Sequence, residues 1–147
     1  MDAADTDRLV GTVDATGLFP GELLVEMLAG YLDGRSPEEG WLTAEIDGAA
    51  AAVAHYAPER MTEGTWNLLL IAVHPEHQGK GVGQALMCEA ESALQRAGQR
   101  LLLVETSGLP EFARTRDFYR RLDYVEEARI RDFYDAGDDK VVFWKAL

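Results

Sequence analysis

The stretch that decides the fold runs from Thr65 to Gly98 and reads TWNLLLIAVHPEHQGKGVGQALMCEAESALQRAG. Its first nine residues, which end at Val73, are mostly apolar, as expected of a strand buried on both faces at the centre of a sheet. From Gly81 to Ala97 apolar residues recur every three or four positions, which predicts a helix with Gly98 as its C-terminal cap. A strand that turns through glycines into a helix indicates an α/β protein.

The turn between this strand and this helix contains Gly79, Gly81 and Gly83. Glycine lets a backbone approach a ligand closely and adopt positive φ, and the N–H groups at a helix N-terminus bind anions. The turn therefore predicts a phosphate-binding loop, with a ligand-free glycine turn as the alternative. A P-loop fits badly because no Ser or Thr follows Lys80, and a dinucleotide fingerprint fits badly because the spacing is Gly-x-Gly-x-Gly.

The rest of the chain predicts further strands and helices around this centre. Asp47-Gly48 is a hairpin signal, and Gly34 to Gly40 is expected to be a loop. Strands are predicted at 9–13, 41–46, 49–56, 100–105, 124–131 and 140–144, and helices at 21–32 and 110–122. With the central strand this gives an α/β fold with a single mixed, mostly antiparallel sheet of about seven strands, flanked by helices, with a parallel pair at its centre. One domain covering residues 1–147 is expected from the length.

Charge is distributed unevenly along the chain, whose net charge is −12. Residues 1–63 hold 13 acidic residues and three arginines, a net charge of −10, whereas residues 64–147 carry −2. Nucleic-acid binding needs a basic face, so nucleic acid is not an expected partner. The acidic residues either keep the protein soluble or attract cationic substrates.

Location and metal content are also constrained by the sequence. No apolar run approaches the ~20 residues that cross a bilayer, and three Asp residues lie before Arg8, so neither a membrane span nor a signal peptide is expected. A single cysteine, Cys88, cannot form an internal disulfide. We therefore expect a cytoplasmic protein. No metal is expected, because His74 and His77 have no third ligand nearby.

Two motifs together resemble one known family. Gln78-x-x-Gly81-x-Gly83 after an apolar strand resembles motif A of the GNAT superfamily of N-acetyltransferases. Downstream, FYRRLDY at 118–124 resembles the family's helix-to-strand motif, usually Phe-Tyr-x-x-x-Gly-Phe, with Asp123 at the usual glycine. The resemblance covers residues 41–147. It implies an enzyme that uses acetyl-CoA, bound in a cleft at the parallel strand pair, to acetylate a primary amine by direct attack in a ternary complex.

The resemblance also implies roles for individual residues. The end of the central strand would bind the pantetheine arm through its backbone, and the glycine turn would hold the pyrophosphate. The cofactor-binding residues are then Ile71, Val73, Gln78, Gly79, Lys80, Gly81, Val82 and Gly83. Tyr119 would protonate the departing thiolate, although a packing role in the core is the alternative.

The general base and the acceptor are less constrained. No acidic residue lies in the strand before motif A, so Glu105, at the end of the next strand, is the preferred base, against a structural role. It resembles the Glu at the corresponding strand end of ribosomal-protein N-terminal acetyltransferases. The acceptor is expected to be a small amine, an amino acid or a peptide, and a cationic one if the acidic half attracts it. Two alternatives to amine acetylation stay open, namely a non-catalytic acyl-CoA-binding module and transfer to a hydroxyl. A homodimer is also possible on the sequence.

Overall fold

The computed structural model describes residues 3–36 and 38–147, and within these ranges it contains four α-helices and six strands. The helices are α1 (Ala3–Thr16), α2 (Glu22–Leu32), α3 (Val82–Arg96) and α4 (Ala113–Arg121). The strands are β1 (Gly40–Ile46), β2 (Ala49–Pro58), β3 (Thr65–Val73), β4 (Leu101–Ser107), β5 (Val125–Asp135) and β6 (Asp138–Ala146). Two short 3₁₀ helices, Pro75–His77 and Pro110–Phe112, precede α3 and α4. The predicted loop at 34–40 includes Pro37, which lies outside the described residues.

The strands form one mixed sheet in the order β1-β2-β3-β4-β6-β5. Strands β3 and β4 are parallel, with residues 65–68 opposite 101–104, and helix α3 connects them. The pairs β1–β2, β4–β6 and β5–β6 are antiparallel. The predicted α/β class, the mixed and mostly antiparallel sheet and the central parallel pair are therefore confirmed.

The predicted strand at 9–13 is wrong, so the sheet has six strands and not seven. These residues lie within α1, where Leu9 and Val13 are four positions apart on one helix face and are completely buried. They belong to one cluster with Leu24 and Leu28 of α2. A five-residue, mostly apolar stretch fits a strand and a buried helix face equally well, and here packing between two helices determines the outcome.

The chain divides into two compact units, Met1–Ala57 with Leu70–Ser92, and Pro58–Leu69 with Ala93–Leu147. In the first unit the α1–α2 cluster also contains Trp41, Val53 and Leu70 from the strands. In the second unit the buried residues include Leu102, Val104, Tyr119, Tyr124, Val141 and Phe143. Strand β5 is exposed along its whole length at the edge of the sheet. One domain over residues 1–147 stays a prediction.

Local turn signals in the sequence behave as expected. Asp47 and Gly48 both have positive φ, 53° and 74°, as a tight two-residue hairpin turn requires. Gly98 ends α3 with φ 71°, and the N–H of Gln99 donates to the carbonyl of Leu94 at 3.0 Å. None of the helices in the described part of the chain is both long and apolar enough to cross a bilayer.

Candidate functional site

The glycine turn between β3 and α3 is open on its outer side. Gly79 has φ 72° and Gly81 has φ 84°, so both adopt the left-handed backbone that the sequence predicted for these positions. A Cβ atom placed on either residue would meet no atom within 4 Å. Gly83 lies in the first turn of α3. The backbone at 79–81 is therefore accessible to a ligand that approaches closely.

The start of α3 supplies donors for an anion. Its first helical hydrogen bond runs from the N–H of Ala85 to the carbonyl of Gly81 at 3.0 Å. The N–H groups of residues 82–84 precede this bond and have no acceptor within the helix. These donors and the positive end of the helix dipole favour a phosphate group, and the exposed Lys80 adds a cation. The predicted set of cofactor-binding residues at 79–83 thus fits a pyrophosphate.

Gln78 has a structural bond that the sequence did not indicate. Its side-chain amide donates to the carbonyl of Val73 at 3.0 Å, which ties the glycine turn to the end of β3. Ile71 and Val73 are half-buried and lie within the last three residues of that strand, next to the glycine turn. A carbonyl oxygen has two lone pairs, so the Val73 carbonyl can accept a second hydrogen bond from a ligand. Gln78 therefore positions the loop whether or not it also contacts a ligand.

Tyr119 is 3% exposed, and its ring lies 5.9 Å from Tyr124 and 5.7 Å from Phe143, centroid to centroid. Burial raises the pKa of its phenol, so the group stays protonated and is a hydrogen-bond donor. Within the described ranges no side chain or backbone group bonds to this hydroxyl. Its oxygen is nevertheless not fully enclosed by the protein. The oxygen therefore reaches the molecular surface although the ring is in the core.

The helix that carries Tyr119 is fixed at both ends. Arg116 donates to the carbonyls of Ser107 and Leu109, each at 2.8 Å, and so anchors α4 to the end of β4. At the other end Asp123 has φ 66°, and the N–H of Tyr124 donates to the carbonyl of Tyr119 at 3.1 Å. Asp123, which stands where the family motif usually has glycine, thus adopts the left-handed backbone itself, whereas the sequence did not indicate the role of Arg116.

Glu105 lies on β4 with its carboxylate 2.9 Å from the Nζ atom of Lys140. The Lys140 side chain is 13% exposed and that of Glu105 is 30% exposed, so this ion pair is largely shielded. To accept a proton as a base, the Glu105 carboxylate would first have to exchange its bond to Lys140, and a structural role in this ion pair is the alternative. Its role as general base stays a prediction.

His55 is a buried polar residue of β2, with 5% of its surface exposed. Its ring stacks on Trp41 at a centroid distance of 3.9 Å, and Nε2 is 2.9 Å from a carboxylate oxygen of Glu39. Burial lowers the pKa of His55, while the hydrogen bond to Glu39 opposes that effect. Among residues 3–36 and 38–147, no group of three or more His, Cys, Asp or Glu side chains is arranged to hold a metal ion.

Comparisons with known proteins relate this chain to acetyltransferases. A family model described as an acetyltransferase (GNAT) domain matches residues 37–126. A Desulfovibrio desulfuricans protein described as a GNAT acetyltransferase is 34% identical, with a TM-score of 0.91 over 99% of this chain and 94% of that one. The ribosomal-protein-alanine N-acetyltransferase of Brucella melitensis is 21% identical, with a TM-score of 0.78 over 100% and 97%. An aminoglycoside 6'-N-acetyltransferase complexed with coenzyme A is 15% identical, with a TM-score of 0.75 over 96% and 89%.

Proposed function

Since the chain belongs to the GNAT family of acetyltransferases, we propose that it transfers an acetyl group from acetyl-CoA to a primary amine. The observation that carries the proposal is the glycine turn at the start of α3. Its left-handed Gly79 and Gly81, its open outer side and its unpaired helix N–H groups fit a pyrophosphate. The backbone of Ile71 and Val73 would bind the pantetheine arm, as the resemblance implies.

The chemistry requires two proton transfers. Acetyl-CoA supplies the activated acetyl group as a thioester. The attacking amine must lose a proton, and Glu105 is the residue that we assign to this step, after exchange of its bond to Lys140. As the carbon–sulfur bond breaks, the sulfur leaves as a thiolate that takes a proton. The protonated Tyr119 hydroxyl is the proposed donor, and water returns its proton.

An amine panel with free thiol as the readout tests this proposal. The full-length protein is incubated with acetyl-CoA and a polyamine, a lysine-rich peptide, a peptide with N-terminal alanine, an aminoglycoside or an uncharged amine. The proposal expects thiol release that depends on the amine and yields an acetylated amine by mass spectrometry. Tight binding of acetyl-CoA without turnover on any amine would instead support a non-catalytic acyl-CoA-binding module.

A further inference from the structure

A pocket within the first unit includes residues of the segment that leads into the glycine turn, but none of the turn itself. It has a volume of about 360 Å³ and is lined by α1, by the β1–β2 turn with the start of β2, and by the segment that follows β3. Its polar lining residues are Arg8, Thr12, His74, Glu76 and His77. We propose that this pocket binds a small ligand through an oxyanion group, either a carboxylate or a phosphate.

Thr12 is the buried polar group of the pocket. It is 2% exposed, and a helical Thr normally turns its hydroxyl to a backbone carbonyl one turn earlier. No such bond, nor any other to this side chain, is found in the part of the chain that the structure describes. The hydroxyl oxygen is also not fully enclosed by the protein. It therefore faces the open space of the pocket, where a ligand oxygen can bond to it.

Arg8 lies four residues before Thr12, on the same face of α1. Its guanidinium makes one long contact of 3.4 Å to the carbonyl of Gly48. Within the described ranges it forms no ion pair with an acidic side chain, although Arg8 is one of only three basic residues in the acidic half. Most of its five N–H donors are free, and their planar fork suits a carboxylate or a phosphate.

The two histidines add donors from the other wall of the pocket. His74 Nδ1 accepts the N–H of Glu76 at 3.3 Å, so the proton of a neutral ring is on Nε2, which can donate to a ligand. The His77 ring lies 6.0 Å from that of His74. The one acidic lining residue, Glu76, is 3.9 Å from His74 Nδ1, and its side chain is 81% exposed. Four of the five polar lining residues, Arg8, Thr12, His74 and His77, can donate hydrogen bonds, and Thr12 is the buried one. This lining favours an oxyanion as the ligand.

Titration of the full-length protein with sodium phosphate and with sodium succinate, at constant ionic strength, tests the proposal. Backbone amide shifts are followed by NMR. We expect saturable shifts at residues 8–12 and 74–77, with a preference for phosphate or for succinate that identifies the group. Arg8→Gln and Thr12→Val should weaken binding about tenfold or more, because each removes a donor to a charged ligand. Thr12→Ser keeps a hydroxyl at this position and should bind the anion about as tightly as the unaltered protein.

Arg35→Gln is the matched control, since Arg35 is an exposed arginine of the same unit that pairs with Asp33 and does not line the pocket. Its affinity for either anion should equal that of the unaltered protein. Gly81→Asp separates this pocket from the glycine turn, because shifts at residues 8–12 should persist in that variant. The proposal is overturned if no saturable shifts occur, if they are confined to residues 79–84, or if Arg35→Gln weakens binding as much as Arg8→Gln.

Discussion

At the level of single residues, burial determines what Tyr119 can do. A buried phenol with a raised pKa stays protonated at neutral pH and can donate a hydrogen bond, and its oxygen is not fully enclosed. If it protonates the thiolate, Tyr119→Phe should lower kcat by about 10 to 1000-fold and leave the Kd for acetyl-CoA nearly unchanged. Steady-state kinetics and calorimetry measure the two quantities.

Tyr124→Phe is the control for this prediction, because it removes the hydroxyl of the neighbouring buried tyrosine. Thermal unfolding of both variants reports whether the core is intact. A Tyr119→Phe enzyme with unchanged kcat would show that the ring serves packing alone. Equal losses of kcat in the two variants would also contradict a specific role of the Tyr119 hydroxyl.

The sequence could predict those single-residue features whose causes are local. The positive φ at Gly79 and Gly81 was predictable, because glycine is the residue that adopts it freely. The bond from Gln78 to the Val73 carbonyl was not, since the partner of a side-chain amide depends on how the turn brings it back to the strand. The ion pair between Glu105 and Lys140 likewise joins two strands that are far apart in sequence.

At the level of secondary-structure elements, the sequence pattern predicted an element correctly where the pattern extended over many residues. The predicted helix at 81–97 and the predicted strand at 65–73 correspond to α3 and β3, because the helical pattern extends over several turns and the apolar run is as long as a whole buried strand. The apolar run at 9–13 was too short to distinguish helix from strand. The β5–β6 hairpin extends beyond the predicted strands, because β5 is exposed throughout and so has no burial pattern to detect.

The turn that begins α3 gives a prediction about the cofactor. Gly81→Asp places a side chain and a negative charge on the open face of the loop, at a position with φ 84°. We expect the affinity for coenzyme A to fall by about 100-fold or more by calorimetry, because a carboxylate repels the pyrophosphate.

Gly98→Asp provides the comparison, since Gly98 also has positive φ with no atom within 4 Å of a Cβ, but lies at the other end of α3. Both variants should remain folded by circular dichroism. Coenzyme A binding that is equal in the two variants would remove the glycine turn from the cofactor site.

The β1–β2 hairpin gives a prediction about pH. His55 lies on β2 with a lowered pKa, caused first by burial, so below about pH 6.5 the unfolded chain binds a proton at this residue that the folded chain does not. Stability should therefore fall as the pH is lowered from about 7.5 to about 5.5. The decrease in the unfolding midpoint should be smaller in His55→Gln than in the unaltered protein and than in His77→Gln. Identical pH profiles in all three would contradict the assignment to His55.

At the level of the whole molecule, charge is divided along the chain. Residues 1–63 carry −10 of the net −12, so most of the excess negative charge is in less than half of the sequence. Such a field raises the local concentration of cations and lowers that of anions near the surface that carries it. The proposed acceptor is therefore a cationic amine, and the alternative is that the acidic residues serve solubility alone.

Salt distinguishes these two roles, because the Debye length falls from ~30 Å at 0.01 M to ~8 Å at 0.15 M ionic strength. If the field gathers the acceptor, kcat/KM for a polyamine or a lysine-rich peptide should fall several-fold over this range. For an uncharged amine it should change little, since no long-range attraction is lost. Measuring both acceptors with saturating acetyl-CoA keeps cofactor binding out of the comparison. An equal salt response for the two would mean that the acidic residues do not select the substrate, because a screened attraction acts only on the charged acceptor.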